Sequence, residues 1–221
     1  RTAIVDSGNP IEPPPPQHER PTRGEIDALW EFPPSAETTR TLLVFGGSQG
    51  AAAINAVVAR WLDNPATRSF MDEQDIRLIW STGANAYPTF ESLESPRVKV
   101  RPFINPMASA YAAADLAVAR SGAMATAELA AWGIPMVLVP LPTAAADHQT
   151  ANAKTLADTG AALMIRQDGL NPEVFADTIQ RLLRDAAGLE AMHVAALQRA
   201  RPHAADDIAQ HVSSLLDSLQ H

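Results

Sequence analysis

The stretch that decides the fold is Thr41-Leu42-Leu43-Val44-Phe45-Gly46-Gly47-Ser48-Gln49-Gly50-Ala51, which continues through Ala-rich sequence to about Leu62. An apolar run without polar alternation reads as a strand covered on both faces. The glycines let the chain turn sharply, and the segment beyond them has helical character. Strand, glycine turn and helix in that order make the opening unit of a parallel α/β sheet.

Similar apolar runs recur at 76–80, 98–103, 116–119, 136–139 and 161–165, and between most of them lies enough chain for a helix. The expectation is a doubly wound, Rossmann-like α/β domain with a parallel sheet of about six strands. Beyond Gly169 the chain reads as helical to its end, with Asn171-Pro172 as a helix start and Arg201-Pro202 as a break.

Upstream the texture differs. Eight of the 18 prolines precede position 40, and Pro13-Pro14-Pro15-Pro16 favours an extended polyproline II segment. Residues 1–40 are therefore expected to be an interdomain strand (Thr2-Ala3-Ile4-Val5) and a Pro-rich linker, and residues 41–221 the domain proper with its terminal helices. The chain opens on Arg1 with that strand already under way, so a piece of a longer protein is expected.

The 221 residues carry 17 Lys and Arg against 25 Asp and Glu, a net charge of -8, and include no cysteine. That composition excludes a disulfide-stapled module, cysteine catalysis and a Cys-ligated metal site. The negative balance argues against nucleic acid as a partner. No apolar run approaches the roughly 20 residues that cross a bilayer, so the default expectation is a cytoplasmic protein.

In such a sheet, ligands sit beyond the carboxyl ends of the strands. The turn at Gly46 to Ala51 brings backbone N–H groups and a helix N-terminus against that space, which favours phosphate, although it matches neither a GxGxxG fingerprint nor a Walker A loop. Alone, it is also the tight turn of any α/β protein. The fourth strand ends at Arg120-Ser121-Gly122-Ala123-Met124-Ala125, a second helix start aimed at the same crevice. Glu128 lies about one and a half turns further on, where its carboxylate can accept hydrogen bonds from vicinal hydroxyls.

After the fifth strand come His148-Gln149-Thr150-Ala151-Asn152, with Gln149 and Asn152 three apart on one helix face and suited to reading sugar hydroxyls. His148 reads as a capping or hydrogen-bonding residue, with no proton-transfer role. Phe103-Ile104 offers an apolar shelf for a flat base, with core packing the competing reading, slightly favoured for Phe103. No Asp-x-Asp metal pair and no hydrolase triad is present in these loops, so the expected ligand is a nucleoside-diphosphate sugar held without metal or other cofactor.

Taken together, Gly46-Gly47-Ser48-Gln49-Gly50-Ala51 with Asn55, Phe103-Ile104 with Met107, Ala110-Tyr111-Ala112-Ala113-Ala114-Asp115, Arg120-Ser121-Gly122-Ala123 with Glu128, and His148 to Ala153 resemble the carboxyl-terminal domain of the MurG transferases, glycosyltransferase family 28. The resemblance implies the C-terminal half of a GT-B glycosyltransferase, an inverting hexosyltransferase that moves N-acetylglucosamine from UDP to lipid I and so makes lipid II for peptidoglycan. It implies that Ile104 meets uracil through its backbone, beside Phe103 and Met107, and that Glu128 binds ribose. It implies too that Ser48 and the Gly122-Ala123-Met124-Ala125 helix start face the diphosphate, that Gln149 and Asn152 read the sugar, and that Gly47, Gln49 and His148 are among the substrate-binding residues.

By the same resemblance, the acceptor pocket, the catalytic base and the contact with the inner face of the cell membrane belong to an amino-terminal domain, and this chain alone is inactive. Glu12, Ser81 and Ala125 depart from the family pattern. A UDP-sugar epimerase of the same architecture, the donor subunit of a two-chain transferase, and a degenerate nucleotide-sugar-binding module stay open as alternatives.

Overall fold

The computed structural model describes residues 7–47 and 49–219. The strand expected at Thr2 to Val5 and the site candidate Ser48 lie outside the described residues.

The chain builds α1 (Arg23–Trp30), β1 (Arg40–Phe45), α2 (Ala52–Asp63), α3 (Pro65–Glu73), β2 (Ile76–Ser81) and α4 (Tyr87–Phe90), then β3 (Val98–Arg101), α5 (Ala108–Ala113), β4 (Leu116–Ala119) and α6 (Ala123–Trp132). It continues with β5 (Met136–Leu138), α7 (His148–Asp158), β6 (Ala162–Met164), α8 (Pro172–Arg184), α9 (Ala186–Arg199) and α10 (Ala204–Leu219). Each of the six expected strands is present, in one parallel sheet of order β3-β2-β1-β4-β5-β6.

Successive side chains of a strand point to opposite faces, so each strand feeds two cores. Leu42, Val44, Leu78, Trp80 and Val118 pack under α2, α3 and α8, where Trp61 meets Phe175 edge-on at 5.5 Å. Leu43, Phe45, Ile79, Ala117 and Leu138 pack on the other side with Trp30, Ile104, Tyr111, Leu129 and Trp132. A sheet covered on both faces needs apolar residues at both parities, and the unalternated runs reflect that need.

Part of the stretch expected as linker is folded onto the sheet instead. Helix α1 opens with a capping box, in which the Thr22 hydroxyl accepts from the Glu25 N–H and the Glu25 carboxylate accepts from the Thr22 N–H at 2.8 Å. Its Ile26 and Trp30, with Phe32 beyond it, are buried in the second core, and the Trp30 indole donates to the Ser109 carbonyl at 3.2 Å. Proline density marks extended chain only as far as Pro21; the Thr-x-x-Glu signature after it was the legible sign of a helix.

Candidate functional site

Strand order decides where the two glycine turns meet. The order reverses between β1 and β4, which run side by side with Phe45 opposite Ala119, so the loops leaving their carboxyl ends emerge together. Between them lies a cleft of about 600 Å³, lined by Gly46, Gly47, Ala51 to Ala53, Arg120, Gly122, Ala125 and the 141–143 loop, with Gln149 and Gln167 at its side.

The helices entering this cleft begin without side-chain caps, as α4, α5 and α7 also do, whereas four other helices are capped. α1, α3, α8 and α9 are capped by the side chains of Thr22, Asn64, Asn171 and Asp185. α2 starts at Ala51 and α6 at Gly122, and neither has a side-chain cap. Their first N–H groups are therefore left for another acceptor, at the positive end of each helix dipole. A Cβ at Gly47 or Gly122 would meet nothing within 4 Å, so both backbones are open to an approaching ligand.

Arg120 is the one charged residue among the described lining residues. It donates to the carbonyls of Val139 and Pro140 at 3.0 and 3.1 Å and to Gln167 Oε1 at 2.6 Å. Burial holds its guanidinium below the ordinary value, and with no carboxylate in the lining the cleft favours an anion. The expectation had Arg120 only as part of the helix-start motif; its place at the end of a buried strand beside a glycine turn was the available signal.

The glycine turn is fitted to β2. Gly50 has φ +75°, and a Cβ there would stand 2.0 Å from the Thr82 carbonyl oxygen. Asn55, buried on α2, donates to the same carbonyl at 2.8 Å and accepts from the Trp80 indole at 3.0 Å. Asn55 thus holds the turn against the end of β2.

The expected site residues fall into three groups around α6. Gly47, Gly122, Ala125 and Gln149 line the cleft. Glu128 faces away from it, toward α5, and accepts a 2.6 Å hydrogen bond from the Tyr111 hydroxyl. Ile104 is buried against the same core as Tyr111, Met107 packs there too, and the backbone N–H and carbonyl of Ile104 have no partner among the described residues. Phe103, for which core packing was favoured, is 55% exposed, because the loop turns its ring outward while Ile104 fills the core.

Ala123 and Asn152 line a separate groove beside Asn9, whose amide donates to the Ala123 carbonyl. The Gln149 and Asn152 side chains part, one to the cleft and one to the groove, while both residues tie α7 to the β4–α6 loop. The Ser121 hydroxyl donates to the Gln149 carbonyl at 2.8 Å, and Asn152 donates to the Ser121 carbonyl at 3.1 Å. Gln149 Oε1 accepts from the Leu141 N–H at 3.0 Å, which leaves its amide NH2 for the cleft.

Met124 and Gln49 are exposed, and His148 is exposed with its Nδ1 2.6 Å from the Ala145 carbonyl, a local turn contact. Glu12 is exposed and Ser81 closes β2 in the core. Among the described residues no helix is long and apolar enough to cross a membrane, and no three His, Asp or Glu side chains gather as metal ligands.

Residues 41–211 match the model of the glycosyltransferase family 28 C-terminal domain. The UDP-N-acetylglucosamine--N-acetylmuramyl-(pentapeptide) pyrophosphoryl-undecaprenol N-acetylglucosamine transferase of Salinibacter ruber is 43% identical over 183 residues, 82% of this chain and 48% of that protein. The enzyme of the same name from Solidesulfovibrio magneticus is 44% identical over 197 residues, 86% of this chain and 53% of that one. The chain thus spans about half the length of the curated relatives it matches.

Among solved structures, MurG of Acinetobacter baumannii superposes with a TM-score of 0.69 at 33% identity, covering 90% of this chain and 54% of that one. The calicheamicin glycosyltransferase CalG4, at 22% identity and a TM-score of 0.58, shares the fold. On its sheet order, its glycine turns and these matches, the chain belongs to glycosyltransferase family 28 and carries that family's C-terminal domain.

Proposed function

We propose that this chain is the donor-binding half of an inverting transferase that moves N-acetylglucosamine from UDP-N-acetylglucosamine to lipid I. The observation that carries the reading is the pair of uncapped helix N-termini, at Ala51 and Gly122, opening with Arg120 on one cleft. In this reading the diphosphate lies across Gly47 and the Gly122 to Ala125 turn, and uracil meets the backbone of Ile104. Glu128 accepts from ribose, and the free NH2 of Gln149 faces the sugar.

The chemistry follows from charge. As the anomeric carbon is attacked, negative charge grows on the departing UDP, and N–H groups already oriented toward it stabilise that charge without reorganising. The acceptor, its base and the peripheral contact with the cytoplasmic face of the membrane fall, in this reading, to the other half of a protein twice as long. Asn152, turned to the Ser121 carbonyl, supports the loop rather than reading the sugar.

Amides, hydroxyls and one guanidinium make a poor divalent-cation site, so donor binding is expected to need no metal. Calorimetry with UDP should give weak binding by the chain, unchanged by a chelator; no heat at millimolar UDP, or a strict magnesium requirement, would overturn the reading. Glu128→Ala should weaken UDP about ten- to a hundredfold, since a hydrogen bond to a charged acceptor is worth roughly 1.5–3 kcal/mol. Equal affinity in the variant would leave Glu128 without a role at the nucleoside.

A further inference from the structure

We infer that Tyr111 is a positioning residue of the nucleoside site, fixing the Glu128 carboxylate so that it discriminates a ribose from a deoxyribose. The inference rests on the reading that Glu128 receives the ribose.

A glutamate on a helix surface has three side-chain torsions to lose before it can hold a ligand, and that ordering costs free energy at the moment of binding. Glu128 has lost part of that freedom already. Its Oε2 accepts from the Tyr111 hydroxyl at 2.6 Å, a contact between residues 17 apart in sequence that joins α5 to α6. The carboxylate is thereby held at one corner, while Oε1 makes no hydrogen bond among the described residues.

Tyr111 is itself immobile. It is 4% exposed, and its ring lies edge-on to Phe45 at 6.3 Å and tilted against Trp132 at 6.0 Å. Phe45 is the last residue of β1, directly before the glycine turn. The Tyr111 N–H donates to the Met107 carbonyl at 3.0 Å, so the same residue is tied to the loop that carries Ile104. One side chain therefore sets the carboxylate against the segment expected at the base.

The phenol suits this task. Burial, and then the neighbouring Glu128 carboxylate, push its ionisation well above the usual tyrosine range, so at neutral pH it is an un-ionised donor. The remaining carboxylate oxygen can then accept from the ribose 2′-hydroxyl, the one hydroxyl that a 2′-deoxynucleotide lacks.

The test compares UDP with 2′-deoxy-UDP by calorimetry in the parent chain, Tyr111→Phe and Glu128→Ala. Phenylalanine keeps the ring contacts and removes the hydroxyl alone, and thermal melts of the unliganded variants report any loss of fold. Tyr111→Phe should weaken UDP about three- to tenfold while moving 2′-deoxy-UDP by less than twofold, so the preference for the ribonucleotide shrinks. Equal weakening of both nucleotides would mean that the hydroxyl serves only packing, and would overturn the inference. So would a Tyr111→Phe variant that keeps the parent's affinity and preference while Glu128→Ala loses them. If Glu128→Ala leaves both nucleotides unaffected, the reading of Glu128 as the ribose acceptor fails first, and the role of Tyr111 falls with it.

Discussion

Replacing Asp27 with alanine should cost about 3–5 kcal/mol of stability, the loss expected when one partner of a buried ion pair is removed. Arg77 is 1% exposed near the start of β2, where its guanidinium donates to Asp27, to the Ser35 hydroxyl at 2.9 Å and to the Pro33 carbonyl, with Phe32 stacked 4.9 Å away. Asp27 completes the network by accepting from the Ser35 N–H at 2.6 Å and the Ser35 hydroxyl at 2.7 Å. Without the carboxylate, the Arg77 charge remains where water cannot reach it, and the strap formed by α1 and residues 31–36 loses its anchor on β2.

Burial works against the charged form of Asp27, but hydrogen bonds from Ser35 and Arg77 and the Arg77 charge outweigh it, so its carboxyl is held below the ordinary range. A depressed value in the folded state means that the contribution is present above the unfolded value and is lost as pH falls through the folded one. Urea unfolding across that acid range should therefore show a steeper loss in the parent than in Asp27→Ala. The double variant Asp27→Ala/Arg77→Met should recover much of the loss, because it removes the stranded charge. A cost below 1 kcal/mol for Asp27→Ala would show that Arg77 finds other partners.

Gly50→Ala is expected to be the next most damaging change, at roughly 2–4 kcal/mol, and to weaken UDP more than tenfold. At φ +75° an L side chain is strained, and its Cβ would also sit 2.0 Å from the Thr82 carbonyl oxygen, a backbone atom that cannot swing aside. The loop must move, and with it Gly47 and the start of α2. Gly47→Ala makes the control: its φ is +85°, but its Cβ would meet nothing within 4 Å, so only the conformational cost of about 1–2 kcal/mol applies. Equal melting temperatures for the two variants would mean that the close approach to Thr82 is relieved without cost.

The contrast between these positions shows how far local sequence reaches. Most of the six strands were legible because a largely apolar run of four to six residues reports its own burial, whatever it packs against, and β3 because Val98 and Val100 alternate with Lys99 and Arg101. The turns after β1 and β4 were legible because glycine at a strand end has few other uses. Residues 22–36 were misjudged: the prolines before them set the expectation, and the burial of Ile26, Trp30 and Phe32 depends on α5 and β2, which lie dozens of residues away.

Within the site, the three-residue spacing of Gln149 and Asn152 implied a common helix face, but Gln149 lines the cleft and Asn152 a separate groove. The Asn152 side chain is spent on the Ser121 carbonyl, and the Gln149 oxygen on the Leu141 N–H. Phe103 and Ile104 are adjacent and both apolar, and only the path of their loop decides that the first is exposed and the second buried. Glu128 stood out as the single acid of an apolar helix, yet its partner Tyr111 sits on another helix and carried no local mark of the pairing.

What this sequence determined by itself is the six strands and the glycine turns that open α2 and α6, since strand burial and glycine turns are properties of residues within about four positions of one another. What only the tertiary structure decided is that β1 lies beside β4, that both helix starts and Arg120 therefore open on one cleft, and that α1 is locked to the sheet through Asp27 and Arg77. Those outcomes come from packing and hydrogen bonding between residues far apart in the chain, whose pairing is chosen by the fold as a whole.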